Sequence, residues 1–216
     1  MRFNNKNVAL PTIYNKNAYI QFSNSTSKSN SPKFITDVYL KNTHTLEFKI
    51  KTPSSNGSRW RQILGGSEAE GTGSELGINF TVYTNANNNK FGVNWWNYDY
   101  SRRLYNDSAF DMSANTEYIF EMEVGTGVTK INGVTQANSG GNNVSGTLNK
   151  PLHIGQVLDD PAFNGQIYYV KITEGNTLVA YYQADNTDNI PGFKDLVSGI
   201  KYTNSGSGTV TYGEDA

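Results

Sequence analysis

Cysteine is absent from the 216 residues, which removes disulfides, thiolate zinc sites and thiol nucleophiles together. Histidine occurs only twice, as His44 and His153, far apart and with no H-x-x-x-H or H-E-x-x-H spacing, so a zinc centre has no ligand set. Charge is scarce at 17% and balances to −1, so there is no basic stripe of the kind nucleic acid requires. Apolar runs extend only a few residues, too short for a membrane-spanning helix. The opening MRFNNKNVAL holds no continuous apolar segment of the signal-peptide type. Helical periodicity is also missing over any helix-length window; the nearest candidate, GFKDLVSG, is short and reads as a turn.

What remains is alternation. In HTLEFKIKT, Leu46, Phe48 and Ile50 share one face while Glu47, Lys49 and Lys51 share the other, the mark of a half-buried strand. LGINFTVYT repeats it through Ile78, Phe80 and Val82, and TEYIFEMEV through Tyr118, Phe120, Met122 and Val124. AYIQF, FITDVYL, RQILGG, KFGVNWW, VTKINGVTQ, PLHIGQV, GQIYYVKIT, TLVAYYQA and GTVTYG add further strands. Asn132-Gly133 between two short extended halves predicts a type I′ hairpin. Many short strands, polar turns and no βα alternation predict an all-β fold, an antiparallel sandwich or barrel. Stretches 23–33 and 66–75 read as surface loops, and 1–17 as a lead-in to one domain over 18–216.

The second half carries a more specific string. Phe163, Gly165, Ile167 and Tyr168 are followed by Leu178-Val179, by Gly192, Phe193, Asp195 and Val197, and by Tyr202, Thr203, Asn204, Gly206 and Gly208. This string resembles the closing phrases F-x-G-x-I-Y, G-[FLY]-x-D-x-V and N-x-G-[ST]-G of laminin G-like, concanavalin A-like jelly-roll domains. The opening FITDVYLKNTHTLEFKIK is similar to that family's first strands, with Asp37 where a glycine is usual. The resemblance spans about residues 18–213. It implies a two-sheet antiparallel β-sandwich and a setting on phage virions or bacterial surfaces, with a glycan or another surface subunit as partner. It does not imply catalysis, because this fold hosts lectins, hydrolases, lyases and structural modules.

Enzymes of this fold place carboxylates on alternate residues of one strand, so that acid and nucleophile flank a glycosidic bond. Glu121 and Glu123 are the only echo, and the third position is Gly125. No G-x-S-x-G elbow appears, and the glycine-rich stretches lack the strand-to-helix context of phosphate loops. The expectation is a protein that is not an enzyme. Jelly-roll sandwiches often hold a rim Ca²⁺, and the loops carrying Asp159, Asp160, Asp185 and Asp188 offer suitable hard oxygen ligands without EF-hand spacing.

The richest lead is KFGVNWWNYDYSR. Read as a strand, Phe91, Val93 and Trp95 take one face, and Asn94, Trp96, Tyr98, Tyr100 and Arg102 the other. Rings beside amide and guanidinium groups suit sugar binding, since flat apolar surface meets pyranose C–H faces and planar polar groups meet hydroxyls. Trp60 offers a further platform. The alternatives are ordinary packing, and a docking face for another subunit or a homo-oligomer, because Trp, Tyr and Arg also dominate protein interfaces. The leading expectation is a carbohydrate-binding or adhesion module; an assembly domain stands second, and a glycan hydrolase or lyase third.

Overall fold

The computed structural model describes residues 15–23, 25–54, 61–66, 78–85, 90–97, 104–105, 110–136, 147, 150–157 and 161–216, with backbone alone over 78–105. Its strands are β1 (Ala18–Ser23), β2 (Lys33–Ile35), β3 (His44–Lys51), β4 (Arg61–Gly65), β5 (Ile78–Asn85), β6 (Lys90–Asn97), β7 (Leu104–Tyr105) and β8 (Glu117–Glu123). They continue as β9 (Thr129–Ile131), β10 (Val134–Thr135), β11 (His153–Gly155), β12 (Gln166–Glu174), β13 (Thr177–Asp185), β14 (Gly192–Asp195), β15 (Lys201–Thr203) and β16 (Thr209–Glu214). One sheet runs β10-β9-β8-β3-β12-β13-β14-β15, with β1 and β16 attached beside β12; the other runs β2-β11-β4-β5-β6-β7. Every ladder between these strands is antiparallel.

Alternation decides the faces. On β3, His44, Leu46, Phe48 and Ile50 are buried while Thr45, Glu47, Lys49 and Lys51 are half-exposed. Phe48 lies directly across from Phe120 of β8, and the rings stack with centroids 4.9 Å apart. Phe34 of β2 joins the sheets: it meets Phe22 of β1 edge-on at 5.7 Å and Phe193 of β14 at 5.0 Å. These rings belong to one buried apolar cluster drawn from both sheets, so the core is the space between them.

Asn132 and Gly133 both have positive φ, 49° and 79°, as a type I′ turn between β9 and β10 requires. Two expectations need correction. FITDVYL is a strand only over Lys33–Ile35, because the Thr36 hydroxyl accepts from the Val38 N–H and bends the chain at Asp37. GFKDLVSG is not simply a turn: Gly192–Asp195 forms β14, and the turn follows it.

The closing phrases have physical roles. Asn204 Oδ1 accepts from the N–H groups of Lys33 (2.9 Å) and Gly206 (3.0 Å), and its Nδ2 donates to the Gly208 carbonyl (2.8 Å). Those bonds tie the turn between β15 and β16 to β2 of the opposite sheet. Gly206 and Gly208 allow the contact, since a Cβ at either would lie within 2.3 Å of Ser31 or Pro32. Gly165 is similarly confined, beneath the Phe163 ring and against the Lys51 carbonyl.

Candidate functional site

The β6 run is placed by its ladder. Ile154 of β11 pairs with Phe34 on one side and Leu64 of β4 on the other; Leu64 pairs with Val82 of β5, and Val82 with Val93 of β6. Phe34, Ile154 and Leu64 are core residues, so Val93 continues a row that begins in the core. Asn94 and Trp96 occupy alternate positions, opposite Thr81 and Asn79, and belong to the sheet's other face. Strand β6 is one ladder in from the sheet margin formed by β7. Trp60, Tyr98, Tyr100 and Arg102 lie outside the described residues, as do Asp159 and Asp160.

Arg61, next to Trp60 in the chain, is a buried β4 residue whose guanidinium donates to the carbonyls of Ser25 and Ala162. Its neighbour Gln62 is also buried, and its Oε1 accepts from the Val157 N–H at 2.7 Å. Segment 161–163 covers this part of β4 through backbone bonds to Gln62.

Asp185 and Asp188 converge on an internal cation. Lys201 Nζ lies 2.9 Å from Asp185 Oδ2 and also bonds Asp188 Oδ1. Lys201 is the main cause holding the Asp188 carboxyl below the usual range. At Asp185 burial pushes upward, but Lys201 and Thr187 outweigh it and the net shift is again downward. Both ion pairs therefore stabilise the fold above the ordinary carboxylate range and weaken as pH falls through the lowered pKa values. An ammonium already fills the place a Ca²⁺ would take between them, so this pair does not fit a calcium site as it stands. Among the described residues, no group of three His, Asp or Glu is arranged to hold a metal.

The glutamates of β8 face outward with partners: Glu121 bonds Lys130, and Glu123 Oε2 accepts from Thr126 Oγ1 at 2.8 Å. At position 125, a Cβ would meet the Asn42 carbonyl oxygen at 2.5 Å, so the place of a third carboxylate is closed by backbone. His44 and His153 begin β3 and β11 and are buried; burial lowers the His44 pKa, and its Nδ1 accepts from the Lys41 N–H at 3.2 Å.

Sequence reasoning missed a cleft made by a fork in the large sheet. Along one edge of β12, Gln166 and Ile167 pair with β1, whereas Tyr169 onward pairs with β13. A bulge at Tyr168 marks the division. Below it, β1 stays with β16 and β13 with β14, and a cleft of about 660 Å³ opens between the two pairs. Its walls include Ala18, Gln183, Asp185, Lys194, Tyr212 and Glu214. Tyr212 is half-buried, its hydroxyl donates to Glu214 Oε1, and burial followed by that carboxylate pushes its pKa up to about 12. No single motif could have announced the cleft, because it depends on two strands sharing one ladder edge.

Tyr168 itself is buried at the fork, edge-on to Tyr19 at 5.6 Å, with Lys49 Nζ 4.1 Å above its ring centroid. Its hydroxyl reaches Glu117 Oε1 (3.0 Å), Gln166 Oε1 (2.9 Å) and Asp215 Oδ2. Burial first, then the two carboxylates, raise its pKa strongly, so the phenol keeps its proton and pins the C-terminal strand to the sheet. Tyr168→Phe is expected to cost about 1 kcal/mol, because both carboxylates retain lysine partners and some water. A melting temperature about 2–4 °C lower checks this; an unchanged one would show that the hydroxyl contributes nothing.

No protein-family model matches the chain, and no curated protein matches it. Among solved structures, the native heptameric SAP-like pentraxin of Limulus polyphemus aligns with 74% of this chain and 77% of its own at 12% identity, TM-score 0.51. Domains LG4-5 of the mouse laminin alpha1 chain align with 93% of this chain at 12% identity, TM-score 0.51. The chain covers 47%, about half, of that two-domain structure. Identities this low speak for the fold alone, and with two antiparallel sheets closed over one core the chain has the concanavalin A-like, laminin G-like jelly-roll fold.

Proposed function

We propose that this chain is a non-catalytic carbohydrate-binding module. The observation that carries the reading is the β6 register, which puts Asn94 and Trp96 on the face opposite the row running from the core to Val93. Tyr98, Tyr100 and Arg102 continue the run beyond the end of β6, and Trp60 precedes β4. In this reading the rings stack on a pyranose, while Asn94 and Arg102 bond its hydroxyls. Support for a non-catalytic role comes from Glu121 and Glu123, which are engaged by Lys130 and Thr126, and from Gly125, where backbone leaves no room for a carboxylate. Any Ca²⁺ contribution falls to Asp159 and Asp160, since Lys201 already neutralises the other aspartate pair.

The finer setting we propose is an accessory domain of a phage virion or bacterial surface protein, acting outside the cell on a surface glycan. A shallow face binds weakly, and repetition on a particle or in a homo-oligomer supplies avidity. A glycan array with wild type and the Trp96→Ala/Tyr98→Ala double variant tests the site. Binding by the wild type and its loss, at least about tenfold, in the double variant is expected. Binding that survives the double variant would remove these residues from the site. Silence on the array, together with an oligomer that the double variant dissociates, would replace glycan recognition with assembly.

A further inference from the structure

The fork cleft contains polar groups that the fold leaves unused. Gln183 is 6% exposed, and its Nε2 donates to the Asn15 carbonyl, while its Oε1 accepts no hydrogen bond among the described residues. Lys194 is the cross-strand partner of Gln183 on the β13–β14 ladder, and its ammonium forms no ion pair among the described residues. Asn186 Oδ1, also on the cleft wall, is buried without a hydrogen-bond partner. Buried polar atoms are normally satisfied, so the unpartnered Asn186 Oδ1, with the unengaged Gln183 Oε1 and the half-exposed Lys194 ammonium lining the same cavity, calls for a polar occupant.

Charge narrows its chemistry. The carboxylates at the cleft or bound to its wall are Asp185, Asp188 and Glu214, against the ammonium groups of Lys194 and Lys201. Three against two leaves no excess positive charge to hold an acidic sugar. What the wall offers is a donor, Lys194 Nζ, beside an acceptor, Gln183 Oε1, with the spacing of directly paired residues, about 5 Å between Cβ atoms. Adjacent hydroxyls of a hexose both donate and accept, and match that pair. The half-buried Tyr212 ring supplies apolar surface nearby, and about 660 Å³ accommodates a small saccharide.

We infer that the fork between β1–β16 and β13–β14 is a second saccharide site, selective for a neutral hexose and separate from the β6 surface. Titration of the ¹⁵N-labelled full chain with methyl α- and β-hexosides (gluco, galacto and manno) at tens of millimolar tests this by NMR. The expected result is saturable shifts of the Gln183 and Asn186 side-chain amides and of the Lys194 backbone, with affinity about tenfold weaker in Lys194→Ala. Lys194 is half-exposed and outside the apolar cluster, so the variant keeps the fold. No shift at these residues with any hexoside, undiminished affinity in Lys194→Ala, or tighter binding of glucuronate or glucosamine would each overturn the inference. Shifts of the Trp96 indole report on the β6 surface independently, so either site can fail while the other stands.

Discussion

Replacing Asp195 with alanine lowers stability by about 3–5 kcal/mol, seen as a melting temperature about 10 °C lower or more. The side chain is 3% exposed. Its Oδ1 accepts from the N–H groups of Tyr181 (2.8 Å) and Val197 (3.1 Å), and its Oδ2 from that of Ser198 (3.0 Å). One carboxylate therefore satisfies β13 and the turn after β14 together. Alanine leaves three donors and a small void, whereas Asp195→Asn keeps the shape and loses one acceptor, so it is expected to cost about half as much. An alanine variant that melts with the wild type would contradict this role.

The second large effect lies where the sheets are tied. In Gly208→Ala the new Cβ would stand 2.3 Å from Pro32 Cδ and 2.4 Å from Pro32 N; in Gly206→Ala it would stand 2.2 Å from the Ser31 carbonyl oxygen. Both obstacles involve backbone or a rigid ring, so the chain itself must move. The double variant is expected to lose about 3 kcal/mol or more. It also breaks the Asn204 clamp, so the Lys33 amide, which donates to Asn204 Oδ1, should exchange with solvent much faster while β3 and β12 amides stay protected. Unchanged protection at Lys33 would mean the clamp is not what joins these strands.

These two positions show what the sequence made legible. Parity alone predicts β3, β8 and most of β12, because buried residues alternate with more exposed ones along the whole of β3 and β8 and along β12 from Tyr168 to Thr173. The short strands escape: β14 has only Phe193 as a large apolar residue, and β7 is two residues long. The resemblance identified Asp195, Gly206 and Gly208, and the structure supplies their reasons: a shared acceptor and a close approach of two backbones.

Site chemistry was less legible. Asp185 and Asp188 read as metal ligands, because sequence shows the two carboxylates but not that Lys201, two ladders away from β13 on β15, reaches both. Gln183 and Lys194 carried no signal at all, since their meaning depends on β12 dividing its edge between two strands. The β6 run was visible for the opposite reason. Two adjacent tryptophans on one strand must take opposite faces, and only the ladder to Leu64 and Ile154 tells which face each belongs to.

The central claim is that Trp96 contacts sugar while Trp95 does not. The chain has three tryptophans, so its ¹H–¹⁵N spectrum carries three indole signals, assignable by single Trp→Phe variants. Titration with the strongest glycan from the array should move the Trp96 indole in a saturable way and leave that of Trp95 nearly still. A Trp96 indole that stays in place while the glycan binds elsewhere on the chain would contradict the account.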